Sequence, residues 1–313
     1  MKPKCIRCEK NDFISSHRPI VSIVIPTHNR SNLVTRAVHS ALNQSFKDLE
    51  VIVVDDASKD NTPALIKIIA DGDHRVHYIR NENPCGGGGA RNIGIQNARG
   101  RYVAFLDDDD EWLPRKLERQ IPYADHYSVV GCLTIKDNKI ERLGLNINKE
   151  RLTCRLLNEI NITKITLNDV FYNNGRLSPT VALTKRNYLV EINGFDESLS
   201  GAQGRDIFTR LIKAYGEGIM LEAILTIHHQ NHGQHRITES PYHLKGYWQE
   251  FKKHSQYMPW HLQRWRKYRL CLLESKKSYG IDRITWLIQA VLNINPYWPL
   301  RSAKCFFTTF FVK

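Results

Sequence analysis

The sequence predicts an α/β protein: a mostly parallel, doubly wound sheet followed by a mainly helical C-terminal appendage. Three observations carry that prediction. Short β-branched runs alternate with amphipathic segments through the first ~125 residues, the pattern of βαβ units joined by crossover helices. Each run ends in polar residues, as expected where ligands bind at the carboxyl ends of parallel strands. From residue 241 onward the chain turns aromatic and basic, with 13 Lys and Arg against Glu250, Glu274 and Asp282.

Taken in order, Ile20 to Ile25 (IVSIVI) reads as a buried strand stopped by Pro26, with PTHNR as its loop. Leu33, Val34, Ala37, Val38, Ala41 and Leu42 then recur at helical spacing. A second strand, Leu49 to Val54, ends in Asp55 and Asp56, and Thr62 is placed to cap a helix opened by Pro63. Val76 to Ile79 is a third strand, leading through NENPCGGGG to a helix over about 90–98. The glycine run frees backbone N–H groups at a helix start, and Arg91 adds a charge suited to a diphosphate.

The fourth strand delivers the most telling stretch, YVAFLDDDDEWLP from Tyr102 to Pro114. Asp107, Asp108, Asp109 and Asp110 repel one another unless a cation or ligand donors offset them, so the run asks for a divalent metal. Beyond it, Ser128–Thr134, Lys139–Leu143 and Pro179–Thr184 read as short strands. GFDESL forms a turn before a helix opened by Asp206, where a carboxylate complements the helix dipole. A strand over Met220–Ile227 leads into HHQNHGQHRI, rich in His and containing Arg236.

Composition narrows the function classes. At 313 residues and 36.3 kDa, with 42% hydrophobic and 25% charged residues, the chain can bury a sizeable core. No run of 18 apolar residues and no N-terminal apolar core is present, so the expected location is cytoplasmic. Seven cysteines form no paired framework, and Cys5 with Cys8 lacks the second ligand pair of a structural zinc site. The formal charge of +13 is uneven: 13 − 3 = +10 lies in residues 241–313, which points to a polyanionic partner: nucleic acid, an anionic membrane surface at the inner face of the cell membrane, or a phosphate-bearing substrate. Two other readings, a nucleic-acid-binding protein and a sugar-nucleotide pyrophosphorylase, fare worse. The acidic cluster repels nucleic acid, and PTHNR is no triphosphate-binding glycine loop.

The ordered series VSIVIPTHNR, VIVVDDASKDNT, GGGGARNIGIQNARGRYVAFLDDDDEWLP and GFDESL with GRDIFTRL resembles the family 2 inverting glycosyltransferases, which have the GT-A fold. The resemblance covers about residues 20 to 237 and implies a bacterial surface-polysaccharide enzyme (O-antigen, capsule or lipooligosaccharide) that moves one hexose from a UDP-sugar. The acceptor would be a lipid-linked or nascent glycan. QRW at 263–265 departs from the spacing of processive members. By this resemblance Pro26, Thr27, His28 and Arg30 would line the nucleotide, Asp55 or Asp56 would accept from the uracil, and Arg91, Asp107 and Asp108 would lie beside the nucleotide-sugar. Asp109, with Asp107, would ligate Mn²⁺ or Mg²⁺, and His235 and Arg236 (with His232) would approach the diphosphate. Asp206 matches the family's general base, although Arg205 stands where Glu is usual. The domains expected are a polar tail over 1–17, a catalytic domain over 18–237 divided at 125/126, and a basic helical region over 238–313.

Overall fold

In the computed structural model the described residues are 18–138, 161–172, 177–229 and 241–293. Strand β1 (Val21–Thr27) is followed by α1 (Ser31–Leu42), β2 (Leu49–Asp56), α2 (Thr62–Gly72), β3 (Val76–Asn81), α3 (Gly86–Asn97) and β4 (Tyr102–Phe105). These four strands pair in parallel in the order β3-β2-β1-β4. The remaining strands are β5 (Asp110–Trp112), β6 (Val130–Lys136), β7 (Ile162–Ile165), β8 (Leu183–Lys185) and β9 (Gly218–His228). They extend the sheet as β4-β8-β6-β9-β5, with β7 also on β9; among the described residues of this half only the β6/β9 pair is parallel. The sheet is thus mixed, parallel throughout its N-terminal half.

Both faces of that half are covered, which is why its strands read as continuous apolar runs. Val21, Ile23, Ile25, Val51 and Val53 join Val34, Val38 and Ile66 of α1 and α2 in one core. The alternate residues Val24, Ile52, Val54, Val103 and Phe105 join Ala90 and Ile95 of α3 in the other. The second core also takes Phe208 and Leu211 of α7 (Gln203–Tyr215), which follows the short helices α4 (Lys116–Gln120), α5 (Leu167–Tyr172) and α6 (Arg186–Glu191).

The glycine run expected as loop is the first turn of α3. Asp56, at the end of the adjacent strand, accepts from the backbone N–H groups of Cys85 (3.0 Å) and Gly86 (2.8 Å), so a distant carboxylate supplies the cap that the local sequence lacks. Small residues also let α3 lie close on the sheet. A Cβ on Gly94 would come within 2.2 Å of Val24 Cγ1. Likewise Thr62 lies inside α2 and makes no side-chain cap; Asp60 accepts from its N–H at 3.0 Å instead. Of the segment Pro179–Thr184, the first three residues form a 3₁₀ turn and only Leu183 and Thr184 enter β8. Cys5, Cys8, Lys139–Leu143, His232, His235 and Arg236 lie outside the described residues.

The C-terminal helices α8 (Pro241–His254), α9 (Trp260–Lys277) and α10 (Gly280–Leu292) pack onto this body. Met258 and Leu262 close over Phe171 of α5, and Arg266 of α9 donates to the Phe171 carbonyl at 3.2 Å. No described helix is long and apolar enough to cross a membrane.

Candidate active site

Four loops gather at the carboxyl ends of β1 to β4. The first two are cross-tied. His28 Nδ1 lies 2.6 Å from the Asp56 carbonyl, Asn29 N donates to Ser58 Oγ at 2.8 Å, and Lys59 N donates to Asn29 Oδ1 at 2.6 Å. Asn29 and Ala57 hold positive φ angles of 54° and 61°, a left-handed backbone that such ties sustain. Pro26 and Thr27 are buried strand residues, and His28 is the exposed ring of the three.

The two carboxylates ending β2 have separate partners. Asp55 is fully enclosed, accepting from Ser58 N (2.8 Å), Tyr78 OH (2.7 Å) and Arg80 Nη1 (3.0 Å). It holds loop and strand together, and in this arrangement it has no face to offer a nucleobase. Asp56, at the α3 N-terminus, also accepts from Asn81 Nδ2 at 2.7 Å. Tyr78, Arg80 and Asn81 carry no sequence signal of this role; the β2/β3 register, pairing Asp55 with Arg80 and Asp56 with Asn81, creates it.

The acidic run divides in two. Its turn is closed by a hydrogen bond from Asp110 N to Asp107 O (3.0 Å), after which the chain enters β5. Asp108 turns inward to Thr27 Oγ1 (2.9 Å) and Arg30 Nη1 (2.9 Å), and Asp110 lies 2.8 Å from His228 Nδ1. Burial outweighs these partners and pushes both carboxyl groups up to about 6. Asp107 and Asp109 keep accessible side chains, 30% and 16% exposed, while pairing with Arg91 (2.5 Å) and Arg30 (3.3 Å). Arg36 Nη2 donates to the Asp109 carbonyl at 2.9 Å. The mutual repulsion of the four carboxylates is offset within the protein by Arg30, Arg91 and His228. Arg36 carries no sequence signal of this role, whereas His228 opens the His-rich stretch and reaches the turn because β5 pairs Asp110 with it.

The residues suit a hard divalent cation of a particular kind. Among the described residues no three His, Cys, Asp or Glu side chains are grouped as a metal cage. Two accessible carboxylates on one turn match the way Mg²⁺ and similar ions are held, by one or two carboxylates together with substrate phosphate oxygens.

Asp206, matched by the resemblance to the general base, is held by several cations. It is fully buried in the first turn of α7, and Arg210 Nε reaches its Oδ2 at 2.8 Å. Its Oδ1 takes Lys253 Nζ at 2.7 Å and lies 2.8 Å from His254 Nε2, both on α8. Burial raises its proton affinity, but the bonds to His254, Lys253 and Arg210 outweigh burial and hold the carboxyl well below the usual carboxylate range. A general base must offer a lone pair to the acceptor hydroxyl. Without substrate, Arg210, Lys253 and His254 occupy the Asp206 carboxylate and tie α8 to α7. Lys253 also binds Asp196 of the GFDESL turn at 2.5 Å. Arg205 joins a neighbouring cluster, 3.3 Å from the fully buried Glu250, which Arg266 also pairs. A cavity of about 750 Å³ beside this region is lined by Asn92, Asp196, Glu197, Arg210 and Lys253, and none of the four loop carboxylates reaches it.

This architecture, a parallel nucleotide-binding half continued by a mixed half, is that of the GT-A glycosyltransferases. Residues 22–192 match the family model Glycosyl transferase family 2, and the chain belongs to that family. It is 31% identical to the Escherichia coli (strain K12) glycosyl transferase WcaA, named for colanic acid biosynthesis, over 86% of this chain and 91% of that one. It is also 39% identical to the Campylobacter jejuni GalNAc(5)-diNAcBac-PP-undecaprenol beta-1,3-glucosyltransferase, over 40% of this chain and 41% of that one. Among solved structures, S. aureus TarS 1–349 with UDP-GlcNAc matches with a TM-score of 0.58 at 18% identity, covering 94% of this chain and 76% of that one. The Pyrobaculum calidifontis mannosyltransferase PcManGT, with GDP-Man and Mn²⁺, gives the same TM-score and identity over 94% and 85%. The chain is a family 2 glycosyltransferase whose bacterial relatives act in polysaccharide and lipid-linked glycan synthesis.

Proposed function

We propose that the protein transfers one hexose from a UDP-sugar to a lipid-linked or nascent glycan in bacterial surface-polysaccharide synthesis, with inversion. The observation that carries this is the four-loop site, where exposed His28, the Asp56-capped start of α3, Arg30, Arg91 and the Asp107–Asp110 turn converge. TarS with its UDP-GlcNAc and the undecaprenol-diphosphate acceptor in the C. jejuni relative's name support the choice of donor nucleotide and acceptor class.

In this reading His28 lies along the base, Asp56 stands nearer to it than the enclosed Asp55, and Thr27 with Pro26 supports that wall from behind. Asp107 and Asp109 are the residues that would hold Mn²⁺ or Mg²⁺. A divalent ion held there would supply charge neutralisation for the leaving diphosphate. Arg30 and Arg91 are fixed cations suited to the same anion. Asp108 and Asp110 shape the turn and touch no ion. His235 and Arg236 remain proposed contacts to the diphosphate. Inversion by single displacement requires the acceptor proton to leave to a base on the face opposite the diphosphate, and Asp206 remains the proposed base, freed from Lys253 or His254 when the acceptor binds.

A UDP-release assay over a panel of UDP-hexoses, with a GlcNAc-diphosphate-lipid analogue as acceptor, tests the proposal. Release should stop in EDTA and return with Mn²⁺, and Asp107→Asn or Asp109→Asn should raise the Mn²⁺ needed for half-activity at least ~10-fold. Full activity in chelator would refute the metal role.

A further inference from the structure

Helix α10 is apolar on the wrong side for a helix that merely packs. Trp286 and Ala290 face inward, Ala290 beside Tyr268 and Cys271, and Trp286 against Trp248 at 6.1 Å between ring centroids. On the opposite side Ile281, Ile284, Ile288 and Leu292 are 78, 57, 55 and 62% exposed, and Val291 is exposed beside them. At 100° per residue these five positions fall within one stripe about 100° wide. Directly before the stripe the α9–α10 turn presents exposed Lys276, Lys277 and Tyr279, with Asp282 the one exposed acid between residues 276 and 292.

We infer that α10 seats the protein on an anionic lipid surface, its isoleucine stripe entering the headgroup boundary and the Lys276–Lys277 turn facing the headgroups. A helix of 13 residues is too short to span a bilayer, which needs ~20, yet it is long enough to lie flat in the interface. An aromatic residue and lysines beside an apolar stripe are the composition of an interfacial helix. Charge argues against a second copy as the covering. Residues 241–313 carry +10, so two copies meeting through this face would bring like charge together. Residues 294–313 add Arg301, Lys304 and Lys313 and no acid to the positive charge that an anionic surface would meet. An anionic bilayer satisfies both the stripe and the charge. The inference gains its purpose from a lipid-linked acceptor, but its geometry is independent of that reading.

The test is co-sedimentation of the full chain with vesicles of phosphatidylcholine alone or mixed with phosphatidylglycerol. The wild-type protein should pellet with the anionic vesicles and be released by high salt. Ile284→Asp with Ile288→Asp should lower the partition coefficient at least ~10-fold, and Lys276→Glu with Lys277→Glu should lower it on anionic vesicles alone. Ile68→Asp, at a 67%-exposed apolar position on α2, is the matched control and should bind as wild type. Circular dichroism checks that all variants keep the fold. Equal binding by wild type and the double Ile variant overturns the inference. So does wild-type protein that stays in the supernatant, or sedimentation velocity showing a dimer that those substitutions dissociate. Activity is read separately with a water-soluble acceptor. UDP release there should be the same for all variants, and its absence alongside vesicle binding would sink the transferase reading while leaving the lipid surface standing.

Discussion

Asp206 shows how one residue's surroundings decide its chemistry. An aspartate at the start of a helix in a glycosyltransferase invites the role of base, but Arg210, Lys253 and His254 together hold it as an anion away from solvent. Asp206→Asn leaves buried His254 and part-exposed Arg210 and Lys253 without their counter-charge, and solvent reaching the two cations keeps the cost below the ~3–5 kcal/mol of a fully buried pair. The expected outcome is a fall in melting temperature and lost turnover with UDP binding spared. Normal turnover would refute Asp206 as the base. Glu50 gives a second residue-scale prediction. It is 2% exposed and accepts from Ser22 Oγ at 2.6 Å and Arg99 Nε at 2.8 Å. Burial pushes its carboxyl up, but bonds from His77, Ser22 and Arg99 prevail and bring it down to about 2 from 4.5. A depressed carboxyl stabilises the fold above its unfolded value, and that stability is lost as pH falls from about 4.5 toward 2. Glu50→Gln should lose on the order of 3 kcal/mol at neutral pH and flatten the acid limb of a stability–pH curve from denaturant titrations.

At the scale of elements, helix α3 ties the sheet to the site. Its glycines read as loop because their intrinsic helix propensity is poor. Tertiary demands override that propensity: a Cβ at Gly94 would strike Val24, and one at Gly88 would come within 2.4 Å of Gln203 Nε2. Gly94→Ala should therefore destabilise by ~1–3 kcal/mol, measured by thermal denaturation, although alanine favours helix. A neutral or stabilising result would show that α3 can move off β1. The strands and the amphipathic helix α1 were legible because burial on one or both faces writes a period into the sequence. The cap on α3 was not, because Asp56 lies 30 residues before Gly86 and meets it through the sheet.

For the whole molecule, the C-terminal helices are part of the catalytic body's own ionic core. Glu250 is shared between Arg205 of α7 and Arg266 of α9, and Lys253 bridges Asp196 and Asp206. Deleting residues 241–313 should thus leave Arg205, Asp206 and Asp196 without these partners and bare Phe171. The shortened chain should show a lower unfolding midpoint or aggregate, read by scattering and urea titration; an unchanged midpoint would mark the region as a detachable appendage. Membrane binding is better tested by point substitutions on α10 than by truncation for the same reason. The sequence by itself determined the α/β class, the order of the loops, the acidic turn and the basic C-terminal charge, since burial periodicity and composition are local properties. Only the tertiary structure decided which carboxylates face outward, what neutralises the others, and which cations hold Asp206. Those depend on contacts across strands and between α7 and α8, where partners tens of residues apart set burial and charge.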